Sequence, residues 1–275
     1  MNEAPVIGFA AARALMAPLT DLVARAGAAV LAVSREAMHV EGKADGSPVT
    51  DADLAADRVI AQGLAALAPQ VPVLSEERTH LAARPYKGSF FIVDPLDGTR
   101  EFVAGRDEFT VNIALVTDGR PLLGIVGAPA LGLIWRGLVG QGTERLVVGA
   151  DGHPQQAVPV RPRRHPAPGE PWIVAVSRSH GDPHTDAFIA ARPGAVRQPL
   201  GSAVKFCRVA EGDADVYPRL APTSEWDVAA GHAVLTAAGG KVTDGKGGTL
   251  RFGDARDDFL VPQFIAWGDP AAAVQ

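Results

Sequence analysis

The chain has 275 residues, 47% of them apolar and 21% charged, so it can bury a full core and is too apolar for extended disorder. Lys and Arg total 26 against 31 Asp and Glu, a formal charge of −5, which gives no electrostatic reason to bind nucleic acid. The single cysteine, Cys207, excludes an internal disulfide framework and any cysteine-built zinc site.

Apolar residues Leu19, Leu22, Val23, Ala26, Val30 and Val33 recur at helical spacing and predict a helix over 18–38. Arg13 interrupts the apolar run 6–19, and the first residues, Met1-Asn2-Glu3, carry no basic segment. Neither a signal peptide nor a membrane span is expected, and the expected location is the cytoplasm. A second helix is predicted over 51–67, with Ala56, Ile60, Leu64 and Leu67 on one stripe and Pro69 just beyond its end. Short strands follow at 71–74 and 89–93, the latter (SFFIV) continuously apolar and stopping at Asp94-Pro95.

Segments 110–116, 121–129 and 131–139 read as antiparallel strands, the first two joined by an Asp-Gly turn at Asp118-Gly119. Residues 153–171 hold six prolines and three arginines (Arg161, Arg163, Arg164) without periodicity, which predicts a solvated linker or surface loop. That segment divides an N-terminal half (1–152) from a C-terminal half (172–275). The second half alternates strands at 172–176, 195–199 and 214–217 with helices at 183–191 and 202–211. A helix over 225–238 ends at Gly239-Gly240, and strands at 241–244 and 264–267 close the pattern. Layered α and β structure in two halves is the expected architecture.

The chemistry is concentrated in Asp94-Pro95-Leu96-Asp97-Gly98-Thr99. A buried strand delivers Asp94 to its end, and a sharp turn returns Asp97 to the same side with the Leu96 carbonyl between them. Hard cations such as Mg²⁺ favour this mixture of carboxylate and carbonyl oxygens. Gly98 and Thr99 then open a short helix whose N–H groups favour a phosphate oxygen. Further acidic positions stand at the ends of core elements. Glu76-Glu77 follows a strand. Asp53 and Asp227 each lie three residues after a Thr or Ser, a spacing that capping boxes explain equally well.

Taken together, LSEE, DPLDGTREF and EWDVAAGHAVLTAAGG resemble the inositol monophosphatase superfamily of metal-dependent, lithium-sensitive phosphatases. DGTREF, EFTVNIAL, SRSH, LGSAVKFC and VYPR are similar to its bacterial CysQ-type 3′(2′),5′-bisphosphate nucleotidase branch. The resemblance covers about 43–244 and implies an α+β fold, a layered αβαβα sandwich. It implies that Glu76, Asp94 and the Leu96 carbonyl hold one Mg²⁺, that Asp94, Asp97 and Asp227 hold a second, and that a weaker third ion sits near Glu76. Asp53 and Thr99 would orient and activate the attacking water, and Glu77 would be a neighbour rather than a ligand.

The expected reaction removes the 3′-phosphate of adenosine 3′,5′-bisphosphate to give AMP, in support of sulfate assimilation. Ser177, Arg178 and His180 would contact the nucleoside. Ser202 and Lys205, at a helix start, would take phosphate together with Gly98, and Arg219 would reach the same substrate. Each of these also reads as an ordinary polar turn or a capped helix end. A homodimer is expected from the family. The rivals are inositol monophosphate or fructose 1,6-bisphosphate as substrate, against which Glu101 argues, and a non-catalytic metal- or phosphate-binding protein. His180 and His184 make no zinc motif, and Cys207 reads as a packed core thiol.

Overall fold

The computed structural model describes residues 4–35, 38–42, 48–81, 86–179, 181–254 and 259–274. Helix α1 (Phe9–Leu31) buries Leu19, Leu22, Val23, Ala26 and Val30, the stripe expected from the sequence. It begins earlier and ends earlier than the 18–38 predicted. The alanine-rich stretch before Pro18 continues the helix, and the proline stands inside it rather than at its first turn. By length and composition α1 could cross a bilayer, but 44% of its most apolar window is buried in the core.

Strands β1 (Val40–Gly42) and β2 (Pro48–Thr50) pair antiparallel and lead into α2 (Asp51–Leu67). Strand β3 (Val73–Ser75) lies parallel to β4 (Ser89–Asp97), which is followed by the single-turn α3 (Thr99–Val103). Strands β5 (Thr110–Thr117), β6 (Arg120–Ala128), β7 (Leu133–Leu138), β8 (Gly142–Val148) and β9 (Pro154–Val160) extend the sheet antiparallel in sequence order to seven strands. The second sheet takes β10 (Ile173–Ser177), then α4 (Pro183–Ala190), β11 (Val196–Leu200), α5 (Val204–Ala210) and β12 (Val216–Arg219). The short β13 (Thr223–Ser224) opens α6 (Glu225–Ala238), followed by β14 (Lys241–Asp244), β15 (Leu260–Val261) and β16 (Phe264–Trp267). Its strand order is β11-β10-β12-β16-β14, with β10, β11 and β12 parallel.

Three apolar clusters define the layers. Leu22, Val23 and Ile60 of α1 and α2 pack on Phe91, Val93, Ile113 and Ile125, on one face of the seven-stranded sheet. Phe206, Val228, Val234 and Leu235 of α5 and α6 fill the space between that sheet's other face (Phe90, Ile92, Val126) and the second sheet (Ala175, Tyr217, Phe264). Ile189 of α4, with Ala272, covers the far face through Val174, Val216 and Trp267. The result is the αβαβα sandwich expected.

Helix α6 lies very close to the large sheet because glycine lines the contact. A Cβ on Gly124 would come 2.3 Å from the Ala230 carbonyl oxygen, and one on Gly137 would come 2.9 Å from the Val234 Cα.

The proline- and arginine-rich segment departs from its reading as a loop. Residues 154–160 pair with β8 as an edge strand, where prolines 154 and 159 are tolerated because one side needs no ladder partner. Arg163 is partly exposed but tied down. It makes a paired hydrogen bond to Asp215 (2.5 and 2.7 Å), whose fully buried side chain also accepts from the Ile173 N–H at 2.6 Å.

Candidate active site

Strand β4 carries the first two acidic groups. Asp94 pairs with Asn112 and Asp97 with Thr110, so two residues of β4, Pro95 and Leu96, oppose one of β5. In a regular strand residues three apart face opposite sides. The extra residue of this bulge cancels that, and both carboxylates turn toward the middle layer, continuing the row of Phe90 and Ile92. The strand therefore runs four residues past its predicted stop, and Pro95 is accommodated at the irregularity.

Glu76 arrives from the parallel neighbour. Ser75 stands beside Val93, which puts Glu76 level with Asp94. The turn is tied to α2 through Asp57, which accepts from Ser75 Oγ at 2.8 Å and Arg78 Nε at 3.2 Å. Asp227 comes from the first turn of α6, where it accepts from the Ser224 N–H (3.2 Å) and the Thr223 hydroxyl.

These elements bring oxygens of Asp94, Asp97 and Asp227 within 4.8 Å of one another. With Glu76, the Leu96 backbone, Gly98 and Thr99 they line a cleft of about 210 Å³. Burial pushes the Asp94 carboxyl well above its usual range, helped by the charges of Glu76, Asp97 and Asp227. Burial also raises Asp97 to about 7, with Asp227 adding to it and Lys205 and the Ala203 N–H opposing. Asp227 is raised for the same first reason, against its hydrogen bonds from Thr223 and Ser224. A cluster of buried, mutually repelling carboxylates calls for cations, and an all-oxygen donor set suits a hard divalent ion.

Asp53 is buried behind the cleft, where it caps α2 and also meets Thr99. Its Oδ2 accepts from the Thr50 N–H (2.7 Å) and hydroxyl (2.6 Å), the capping box of α2, while its Oδ1 accepts from Thr99 Oγ1 at 3.1 Å. The Thr99 hydroxyl also faces the Leu96 carbonyl at 3.2 Å.

On the opposite wall Ser177, Gly201, Ser202, Lys205 and Arg219 line the cleft. Ser177, Leu200 and Arg219 are the carboxyl ends of the three parallel strands, the edge at which α/β sheets bind ligands. Ser202 lies two residues before α5 instead of starting it, with φ +45°, because the chain must turn sharply from β11. Among the described residues its buried hydroxyl has no hydrogen-bond partner. Lys205 is 4% exposed. Its ammonium bonds the Ser202 carbonyl at 2.6 Å and sits 5.2 Å over the Tyr217 ring. Burial brings it down to about 8, with Asp97 pulling the other way.

One expectation differs here, and another lies beyond what the structure describes. Arg178 does not line the cleft: its guanidinium is taken up by Glu108 at 2.8–3.2 Å, an opposite charge that the fold places beside it. His180 lies outside the described residues. Residues not expected are Thr223, Tyr217 and Gly201, brought in by neighbouring elements; Glu101, read from the sequence only as a mark against the rival substrates, is a 5% exposed carboxylate on the cleft wall that accepts from Ser179 Oγ.

Comparison with known proteins agrees with this geometry. The model of the inositol monophosphatase family matches residues 12–273. The chain is 42% identical over 248 residues, 89% of its length and 96% of the relative's, to the 3′(2′),5′-bisphosphate nucleotidase CysQ of Shigella flexneri. It is 34% identical to that of Buchnera aphidicola, over 92% of this chain and 94% of the relative. The crystal structure of CysQ from Bacteroides thetaiotaomicron superposes with a TM-score of 0.71 at 34% identity, covering 93% of this chain and 97% of that one. With the family match spanning nearly the whole chain and the acidic blocks converging in space, the protein belongs to the inositol monophosphatase family.

Proposed function

We propose that this chain is a Mg²⁺-dependent phosphatase that hydrolyses adenosine 3′,5′-bisphosphate to AMP and phosphate, recycling a by-product of sulfate activation. The observation that carries the reading is the convergence of Asp94, Asp97 and Asp227 within 4.8 Å, beside the Thr99–Asp53 hydrogen bond. Relatives at 42% identity bearing the nucleotidase name support the choice of substrate.

Glu76, Asp94 and the Leu96 carbonyl would hold one Mg²⁺, and Asp94, Asp97 and Asp227 a second, with a third near Glu76. Bound there, the ions would offset the four carboxylate charges, lower the pKa of water and neutralise charge on the phosphate. Thr99 Oγ1 orients the attacking water and accepts its proton while passing its own to Asp53 Oδ1. The Thr50 N–H and hydroxyl hold Asp53 in place for that exchange. Lys205 and Arg219 supply the positive charge that a second phosphate needs, the Ser202 hydroxyl a further hydrogen-bond donor, and Ser177 meets the nucleoside.

Phosphate release from adenosine 3′,5′-bisphosphate, inositol 1-phosphate and fructose 1,6-bisphosphate, with Mg²⁺ titrated and Li⁺ added, tests the reading. The expected result is Mg²⁺-dependent, Li⁺-inhibited preference for the nucleotide, abolished in a folded Asp94→Asn variant. Preference for inositol phosphate would transfer the substrate to that branch. Absence of turnover with intact Mg²⁺ binding would leave a binding protein.

A further inference from the structure

Glu108 has no part in the chemistry above and does not line the cleft, yet it joins both of the cleft's walls. It stands between α3 and β5, one turn of chain from the metal-binding loop. Its carboxylate accepts from the Gly201 N–H at 2.9 Å and from Arg178 Nε and Nη2 at 2.8–3.2 Å. Arg178 in turn donates through Nη2 to the Pro199 carbonyl at 2.8 Å, and its own N–H goes to the Leu200 carbonyl at 3.1 Å. The end of β11 is thereby clamped from two directions.

The backbone packing is equally close. A Cβ on Gly201 would come 2.4 Å from the Glu108 carbonyl oxygen, and one on Gly98 would come 3.3 Å from the same atom. Glu108 is therefore the tie between the Gly98 turn and the Gly201 loop. Between that tie and the Ala203 N–H, which goes to Asp97, sits Ser202. Its positive φ disfavours a residue with a side chain, and among the described residues its hydroxyl has no partner. A strained residue with an unsatisfied polar group persists only when its surroundings hold it.

We propose that Glu108, braced by Arg178, is a positioning residue that holds Ser202 toward the phosphate not being hydrolysed. This rests on the bisphosphate reading above. The carboxylate keeps the Arg178 cation off the substrate and spends it on the loop. Arg178 thus acts on substrate affinity through Ser202 without touching the ligand.

The test is steady-state kinetics on Glu108→Ala, Glu108→Gln, Arg178→Ala and the double variant Glu108→Ala/Arg178→Ala. Two substrates are compared: adenosine 3′,5′-bisphosphate, and 2′-AMP, which lacks the second phosphate. Circular dichroism checks that each variant is folded. Loss of the tie should raise KM for the bisphosphate on the order of tenfold, with kcat and the KM for 2′-AMP within about twofold. Glu108→Gln keeps an acceptor for the Gly201 N–H and should recover part of the loss, and the double variant should be no worse than Glu108→Ala.

Equal KM changes for both substrates, a fall in kcat on both, or additive effects in the double variant would overturn the positioning role. A wild-type enzyme that does not turn over the bisphosphate would remove the substrate reading, and that result is visible before any variant is compared. A competent wild type whose variants keep its substrate ratio removes the role of Glu108 alone.

Discussion

Replacing Asp97 by Asn should stabilise the metal-free protein while destroying its activity. The Asp97 carboxyl, with an ordinary value of 3.8, is held at about 7 by burial first and by Asp227 next. Its folded-state pKa lies above the unfolded one, so between pH 4 and 7 the unfolded chain releases a proton that the folded chain retains. Stability therefore falls as pH rises through this window and levels off above it. At ~1.4 kcal/mol per tenfold change in proton affinity the whole interval corresponds to about 4 kcal/mol, and the part between pH 5 and pH 8 to about 3 kcal/mol. Because Asp94, Asp97 and Asp227 repel one another, that energy belongs to the group of three and not to one residue. The variant also loses the attraction between Asp97 and Lys205, which lowers its curve without restoring the slope. Urea denaturation in EDTA at pH 5 and pH 8 reads the effect: the advantage of Asp97→Asn over wild type should grow at the higher pH, on the order of a few kcal/mol shared among the three carboxylates. Saturating Mg²⁺ should return that stability to wild type and not to the variant. A difference that does not change with pH, or a variant less stable than wild type at pH 8, would refute the view that repulsion among buried carboxylates dominates the empty cluster.

Other outcomes follow from the same contacts. Thr99→Val keeps the Asp53 cap and removes the hydroxyl, so turnover should fall about 100-fold or more with little change in melting temperature. Asp53→Ala should lose both, at an added stability cost of about 1 kcal/mol. Arg163→Ala leaves the fully buried Asp215 carboxylate without its cation, and chemical denaturation should show a loss of about 3 kcal/mol with kcat unaffected. Burial pushes His232 down to about 4 from 6.5, so its folded state stays neutral where the unfolded state is charged. Its contribution is present above pH 6.5 and is lost toward pH 4, by about 3 kcal/mol. Against wild type, His232→Phe should show none of that acid limb in urea melts.

Much of the fold was legible because periodicity is a local property. The stripe of α2, the apolar run of β4, the Asp118-Gly119 hairpin and the alternation after residue 171 each mark their element without knowledge of its neighbours. Strands β8 and β9 were not legible. β8 is only irregularly buried, without strict alternation, and β9 is a largely exposed edge strand with two prolines, so pairing with β7 and β8 in turn creates them. The acidic residues of the cleft could be placed from DPLDG and its companions. What could not be read was occupancy: Arg178 looks like a substrate contact until Glu108, 70 residues away, is seen to claim it. In the same way Asp53 offered capping and relay as alternatives, and its two oxygens divide between the Thr50 cap and the Thr99 hydroxyl.

The glycine-lined seam between α6 and the large sheet has a consequence for how tightly the acidic cluster is toleranced. Asp227 rides on the first turn of a rod whose body is wedged against Gly124 and Gly137, with no slack for even a methyl group. The spacing between Asp227 and the Asp94–Asp97 turn, two stretches far apart in the chain, is thus machined by backbone-to-backbone fit away from the carboxylates themselves. A single alanine in that seam would displace the Asp227 carboxylate, so the geometry of the acidic cluster can drift through positions that never touch it.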